Sequence, residues 1–369
     1  MSEASVSTIP MDPKRSQELF LFTTPLVGDF VAKATGRSLM LPINRLGEED
    51  LDLTGYQAGL AALGISPYKI RFDNEKGFLE FMENYVYEQY REGALEVSEE
   101  QLLVCNCGAV EILNEATAKI EKRTNGKTFR ILPNGKIACK KCKSAATLLT
   151  TPCLMRLPKE QSVGVVDVQP HPYRGCVLDH LSIYFGCKHL ISRQRETAMK
   201  VNLQGTEFHL DNDYIWLHYG RYLRTIGENP DVIVASNHSL RKGAIYAAFM
   251  AECGDEPINL VVTPYVDLTK QLGDCSVKAL SAKYPPSVLR AFMLIHLNWR
   301  VQNSKGDLTW LRWLARVVNE IDVRAGEDSL IAGITNKIKG HNLKTGLVDL
   351  KRGKELSSGQ NLSLSLIKS

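Results

Sequence analysis

The chain predicts an α/β fold: a parallel sheet interrupted by a metal-pinned insert and followed by a C-terminal helical segment. Three observations predict it. Short runs rich in strand formers, at residues 38–43, 232–236 and 260–263, alternate with longer stretches of helical spacing, the order that builds parallel α/β units. Four cysteines stand in two close pairs, Cys105-Asn106-Cys107 and Cys139-Lys140-Lys141-Cys142. At 369 residues the chain is long enough for one large core that carries an insert.

In chain order, residues 1–16 are polar and read as a flexible tail. Residues 18–24 (ELFLFTT) read as a short strand broken by Pro25 and Gly28. Gly28 would let backbone amides approach a phosphate, as at any strand-to-helix turn. The strand at 38–43 runs into an acidic segment holding Glu48, Glu49, Asp50 and Asp52, either a solvated turn or a site for an amine or Mg²⁺. Residues 53–63 and 76–90 have helical spacing, with Phe78, Phe81, Met82, Tyr85 and Val86 along one face that reads as core. After the insert come a strand at 163–168 and a helix at 178–191. Helices at 214–224 and 240–253 flank the strand at 232–236, and 260–263 is the last strand. Residues 287–299 and 308–321 are strongly periodic helices. The core therefore takes 17–95 and 163–285, the insert 96–162, the helical segment 286–350, and a second flexible tail 351–369.

The cysteine pairs carry the clearest chemistry. Zinc takes thiolates tetrahedrally, and two cysteines one or two residues apart on a tight turn both reach one ion, so Cys105, Cys107, Cys139 and Cys142 complete a closed four-sulfur site. Four sulfurs leave no open position, which makes the site structural. Lys136, Lys140, Lys141 and Lys143 crowd the second pair and favour thiolate. Metal binding would contribute on the order of 10 kcal/mol to an insert too small for its own apolar core. Four unrelated cysteines, or a redox pair, are the competing readings.

Composition excludes several classes. The apolar fraction of 44% and charged fraction of 23% are those of a soluble globular protein, and a net charge of +4 argues against wholesale polyanion binding. The first fifteen residues hold no apolar signal region and no run reaches a bilayer crossing, so no membrane role and a cytoplasmic location are expected. Nine cysteines agree with a reducing compartment. His171, His180 and His189 recur every nine residues and invite a second metal site, although that spacing does not stack side chains on one helical face. Lys188, Arg193 and Arg195 form a modest basic patch, useful for phosphate if they converge. The basic residues from Lys337 to Lys354 read as a solvated tail or an RNA contact.

Four segments resemble the catalytic half of class I aminoacyl-tRNA synthetases, most closely the methionyl type. YVYEQYREGALEV followed by CNCG resembles the helix, strand and first knuckle of that family's zinc insert. Residues 190–195 (LISRQR) resemble its Ile-Ser-Arg-Gln-Arg signature, with Glu196-Thr197 where Trp-Gly is usual. VIVASNHSLRKGAIYAAFM resembles the strand and helix lining the adenosine pocket, and residues 262–294 resemble the segment with the Lys-Met-Ser-Lys-Ser loop. The resemblance spans residues 18–325 and implies a Rossmann-like (HUP-type) nucleotide-binding core.

What the resemblance implies is amino-acid activation with ATP and Mg²⁺. Lys270 would be the catalytic counter-ion to pyrophosphate, with Lys242 or Arg241 a second charge; Asn237 and His238 would meet ribose or adenine; Glu48 and Asp50 stand where the family contacts its amino acid. On the residues alone, Lys270 also reads as a solvated lysine and His238 as a helix cap. The departures are large. The family's His-Ile-Gly-His turn is missing, because no histidine precedes His171, and residues 25–30 (PLVGDF) sit where it is expected. Asp267-Leu268-Thr269-Lys270-Gln271 keeps one lysine of two, and no anticodon-binding domain is recognisable. Two functions follow: a trimmed ligase that passes an activated amino acid to a small nucleophile, with tRNA contact weak or absent, or a non-catalytic scaffold that binds nucleotide, tRNA or a protein partner. Some relatives of the methionyl enzyme, including cupin-linked ones, act in natural-product pathways such as nitrogen-nitrogen bond formation, so a cupin-type partner is implied too.

Overall fold

The computed structural model describes residues 4–13, 18–46, 51–113, 128–132, 136–159, 166–194, 199–254, 257–268, 275–297, 303–306, 308, 311–312 and 315. Contacts divide the chain into two units: 1–74, 162–182 and 217–369 in the first, 75–161 and 183–216 in the second.

The first unit is built on six parallel strands: β1 (Ala4–Thr8), β2 (Ser38–Ile43), β3 (Lys69–Phe72), β4 (Val166–Gln169), β5 (Asn229–Ser236) and β6 (Ile258–Thr263), in the order β3-β2-β1-β5-β6-β4. Parallel neighbours need a crossover, and helices supply it. α1 (Thr23–Thr35) joins β1 to β2, α2 (Leu53–Ala62) joins β2 to β3, and α3 (Leu240–Ala251) joins β5 to β6. Strands covered on both sides should carry continuous apolar runs, and β5 (NPDVIVAS) and β6 (INLVVT) do so in VIVA and LVV. α4 (Pro286–His296) begins on a proline, whose fixed φ and missing N–H suit the first helical turn. Its Arg290 is buried, donates to Asp29 of α1 at 2.9 Å and to the carbonyls of Leu63 and Gly64 at 3.2 Å, and lies over the Phe30 ring. One guanidinium thus ties three segments of the core together.

Two sequence expectations are corrected here. Residues 4–8 are not part of a tail but the central strand, hydrogen-bonded to β2 and β5. Residues 18–24 are not a strand: Leu19–Phe22 form a 3₁₀ turn that feeds α1. ASVST is short and weakly apolar, so it carries little signal although Val6, Ser7 and Thr8 are completely or almost completely buried. Beyond α4, Asn303–Gly306 is a strand paired parallel with Tyr265–Leu268. The tail 351–369 lies outside the described residues.

The second unit starts with the helix Lys76–Arg91, whose buried face is Phe78, Met82, Tyr85 and Val86. Two ten-residue strands, Leu95–Val104 and Thr147–Arg156, pair along their whole length; His189–Leu190 and Val110–Ile112 extend the sheet at either side. A second sheet carries Ser192–Arg193, Thr206–Leu210 and Lys200–Leu203. The insert is therefore wider than residues 96–162. Among the described residues no helix is long and apolar enough to cross a membrane.

Candidate nucleotide crevice and metal centre

β1 and β5 are neighbours, yet their connections run in opposite directions, β1 toward β2 and β3 and β5 toward β6. Open parallel sheets take ligands outside the carboxyl ends of strands at such a switch point. Around it, the N–H of Ile9 donates to Val234 at 3.3 Å and the N–H of Met11 to Pro42 at 3.1 Å, which holds the chain leaving β1 against its neighbours. At the end of β5 the Ser236 hydroxyl accepts the Ser239 N–H at 3.3 Å and folds Asn237–Ser239 into a 3₁₀ turn. His238 is exposed, with its ring 5.6 Å from that of Tyr265 just past β6. Arg241 and Lys242, both exposed, occupy the first turn of α3.

The other expected residues divide. Gly28 is not at a strand-to-helix turn: it lies inside α1, where an added Cβ would stand 3.0 Å from Leu39 Cδ1, and it allows close packing of helix on sheet. Asp52 caps α2 by accepting the Gly55 N–H at 2.8 Å. Lys270, Glu48 and Asp50 lie outside the described residues, as do Arg195 and the basic stretch 337–354. Of the expected basic patch, Lys188 is paired with Glu96 at 2.6 Å and Glu100 at 3.1 Å, and Arg193 with Asp211.

One residue was missed. Asp73, just past β3, is fully buried, and its Oδ1 accepts the N–H of Arg45 at 2.5 Å and of Leu46 at 3.1 Å, fixing the turn that leaves β2. Burial pushes its carboxyl up to about 7; the two amides work against this and Asp12 adds repulsion. An aspartate directly after the strand run KIRF was the available signal.

The four cysteines of the insert meet. Gly108, at φ 82°, turns the first pair, its N–H donating to Cys105 at 2.8 Å. Lys143, at φ 67°, turns the second, its N–H donating to Cys139 at 3.0 Å. All four Sγ atoms lie within 4.8 Å of one another, with Cys105 to Cys142 at 3.2 Å and Cys107 to Cys139 at 3.6 Å. A ZnS₄ tetrahedron has edges of roughly 3.8 Å, so one dication fits. The hydroxyl and amide of Ser144 bring the Cys142 thiol down to about 6. Cys105, although the Cys107 amide lowers it, is pushed up to about 12, with the Cys142 sulfur the largest of the effects raising it. No other such group of His, Cys, Asp or Glu occurs among the described residues, so a second metal at His171, His180 and His189 is not supported.

No protein-family model matches the chain, and no curated protein is similar to it. Solved structures do match. The Mycobacterium tuberculosis methionyl-tRNA synthetase in complex with methionyl-adenylate gives a TM-score of 0.61 at 12% identity, over 100% of this chain and 88% of that chain. A crystal structure of the same enzyme bound by methionyl-adenylate gives 0.63 at 10% identity, over 99% and 88%. Its apo form gives 0.60 at 12% identity, over 100% and 86%. The chain has the methionyl-tRNA synthetase fold.

Residues 25–30, where the resemblance puts the family's phosphate turn, are buried helix inside α1, and the first strand of the sheet is β1. No histidine stands among them.

Proposed function

We propose that this chain is an ATP-dependent amino-acid ligase that forms an aminoacyl adenylate and transfers it to a small-molecule nucleophile. The observation that carries the reading is the switch-point turn, where Asn237 and His238 leave β5 and Arg241 and Lys242 open α3. Cations in a first helical turn oppose the helix dipole. A phosphate between them turns that cost into a gain.

In the first step a carboxylate oxygen of the amino acid attacks the α-phosphorus of magnesium-bound ATP and pyrophosphate leaves. In the second, an amine attacks the adenylate carbonyl, AMP departs and the amine proton passes to solvent. Asn237 and His238 hold the nucleoside, Lys242 and the catalytic Lys270 balance phosphate charge, and Glu48 and Asp50 take the substrate ammonium. Holding reactants in line and stabilising developing charge are the main demands of this chemistry. Zinc at Cys105, Cys107, Cys139 and Cys142 keeps the insert folded and takes no part. The setting is natural-product biosynthesis, including nitrogen-nitrogen bond formation, in the cytoplasm, with a cupin-type protein partner and only weak tRNA contact. One observation favours a non-catalytic scaffold instead: no histidine precedes His171.

The test is hydroxamate formation from ATP, hydroxylamine and each amino acid in turn. One or a few amino acids should give product, lost in Lys270→Ala and reduced at least tenfold in Asn237→Ala. No product with any amino acid would favour the scaffold.

A further inference from the structure

The four clustered cysteines are not equivalent. In the first turn Cys105 is buried and Cys107 half-buried; in the second Cys139 is completely buried and Cys142 exposed. The left-handed backbone of Lys143 and its N–H bond to Cys139 close the second turn directly after Cys142, which leaves Cys142 as the one thiol of the four that a solute reaches freely. Lys140 and Lys141 precede it and Lys143 follows, the last two exposed. These cations favour negative charge building on a group that departs from the Cys142 sulfur.

The sulfur contacts run across the site. Cys142 Sγ lies 3.2 Å from Cys105 Sγ, and Cys107 Sγ lies 3.6 Å from Cys139 Sγ, so each contact joins one turn to the other. Spacing alone makes the C-x-x-C pair, Cys139 and Cys142, the expected redox couple. The fold offers Cys142 a different partner. An S–S bond is about 2 Å long, so a movement of roughly 1 Å by the exposed side chain closes the gap. A bond between Cys105 and Cys142 would tie together the same two turns that a metal ties. Cys187 is exposed too, but it stands outside the cluster.

We propose that Cys142 is an oxidation site for hydroperoxides, with Cys105 the resolving thiol, and that the disulfide they form replaces the metal as the link between the two turns. The Cys142 thiolate attacks one peroxide oxygen, the O–O bond breaks, hydroxide leaves and a sulfenic acid forms. The Cys105 thiolate attacks the sulfenic sulfur, a second hydroxide leaves and the S–S bond forms. Two electrons pass from the two sulfurs to the peroxide. Cys107 and Cys139 then remain, two ligands fewer than structural zinc takes, so the ion is released. A reducing thiol reverses the sequence.

The experiment treats the zinc-loaded full chain with hydrogen peroxide, reads released zinc with a colorimetric chelator and maps disulfides by mass spectrometry of non-reduced peptides. The expected result is about one zinc released per chain, a peptide pair joined through Cys105 and Cys142, and reversal of both by dithiothreitol with added zinc. Cys142→His keeps a fourth zinc ligand and removes the attacking sulfur, so release should slow at least tenfold, while Cys187→Ser should release zinc at the wild-type rate. If Cys142→His does not hold zinc, the disulfide map of the unaltered chain decides alone. A bond within one turn, either Cys105 to Cys107 or Cys139 to Cys142, would overturn the proposal. So would sulfinic acid at Cys142 with no disulfide, or wild-type release from zinc-loaded Cys142→His. Neither readout involves ATP or an amino acid, so the result is independent of the ligase reading.

Discussion

In the sheet unit Phe22, Leu41, Ile43 and Tyr246 are completely enclosed, whereas in the insert the strand Thr147–Arg156 runs with Leu148 54% and Leu149 38% exposed. The buried cluster at the cysteine end of the insert comprises Leu103, Cys105, Phe129 and Cys139, half of it cysteine. Apolar burial suffices for the first unit, at roughly 25 cal/mol per Å² removed from water. The second unit is also well packed around Phe78, Met82, Val86, Leu154 and Phe208, but its cysteine end encloses only that small cluster, so a bound cation would add there what apolar burial does not. A metal at the four cysteines would therefore matter to that end of the insert and little to the sheet unit.

Removing a ligand breaks the comparison most strongly. Cys139→Ser should abolish about one bound zinc per chain and cost the insert on the order of 10 kcal/mol. Hydrogen exchange should then show protection lost in Leu95–Val104 and Thr147–Arg156 and kept in β5 and β6. Loss in both units together would contradict the division.

The next effect belongs to the sheet unit. Arg290→Ala leaves Asp29 buried, with the half-exposed Lys33, 3.1 Å away, as its remaining counter-charge among the described residues. Breaking a buried pair costs about 3–5 kcal/mol, and Lys33 places the expected loss at the lower end. Denaturant unfolding measures it, and zinc content should not change.

Asp73 gives the pH dependence. Its folded pKa of about 7 lies above the ordinary aspartate value of roughly 3.9. Below pH 4 both states are protonated and nothing is lost. Between pH 4 and 7 the unfolded chain releases the proton that the folded chain keeps, so stability falls as pH rises, and above 7 the loss is constant. Asp73→Asn keeps the acceptor for Arg45 and Leu46 and removes this slope. The variant should be more stable than wild type at pH 8, by about 4 kcal/mol as an upper bound. Parallel stability curves from pH 4 to 8 would contradict it. The smallest effect is Gly28→Ala, in which helix propensity and contact with Leu39 oppose each other. Stability should change by less than about 1 kcal/mol and ATP affinity should not change; a drop in ATP affinity would return Gly28 to the phosphate.

How much of this was legible follows from where the signal lies. β5 and β6 carry continuous apolar runs, and the cysteine spacing states its geometry outright, so both were readable. β1 was not, because a five-residue strand of Ala, Ser, Val and Thr owes its burial to its neighbours on the sheet rather than to its own hydrophobicity. The run at 18–24 misled for the converse reason: its Leu and Phe serve a helical turn equally well. Asp73 acts on the turn that leaves β2 and Ser144 on the turn of the second cysteine pair, contacts made between segments that periodicity does not reveal.

The most direct test of the central claim is amino-acid-dependent exchange of labelled pyrophosphate into ATP, measured on the zinc-loaded chain. The account predicts exchange with one or a few amino acids, absent in Lys270→Ala and retained in Gly28→Ala. No exchange with any amino acid, alone or with an added amine, would contradict it.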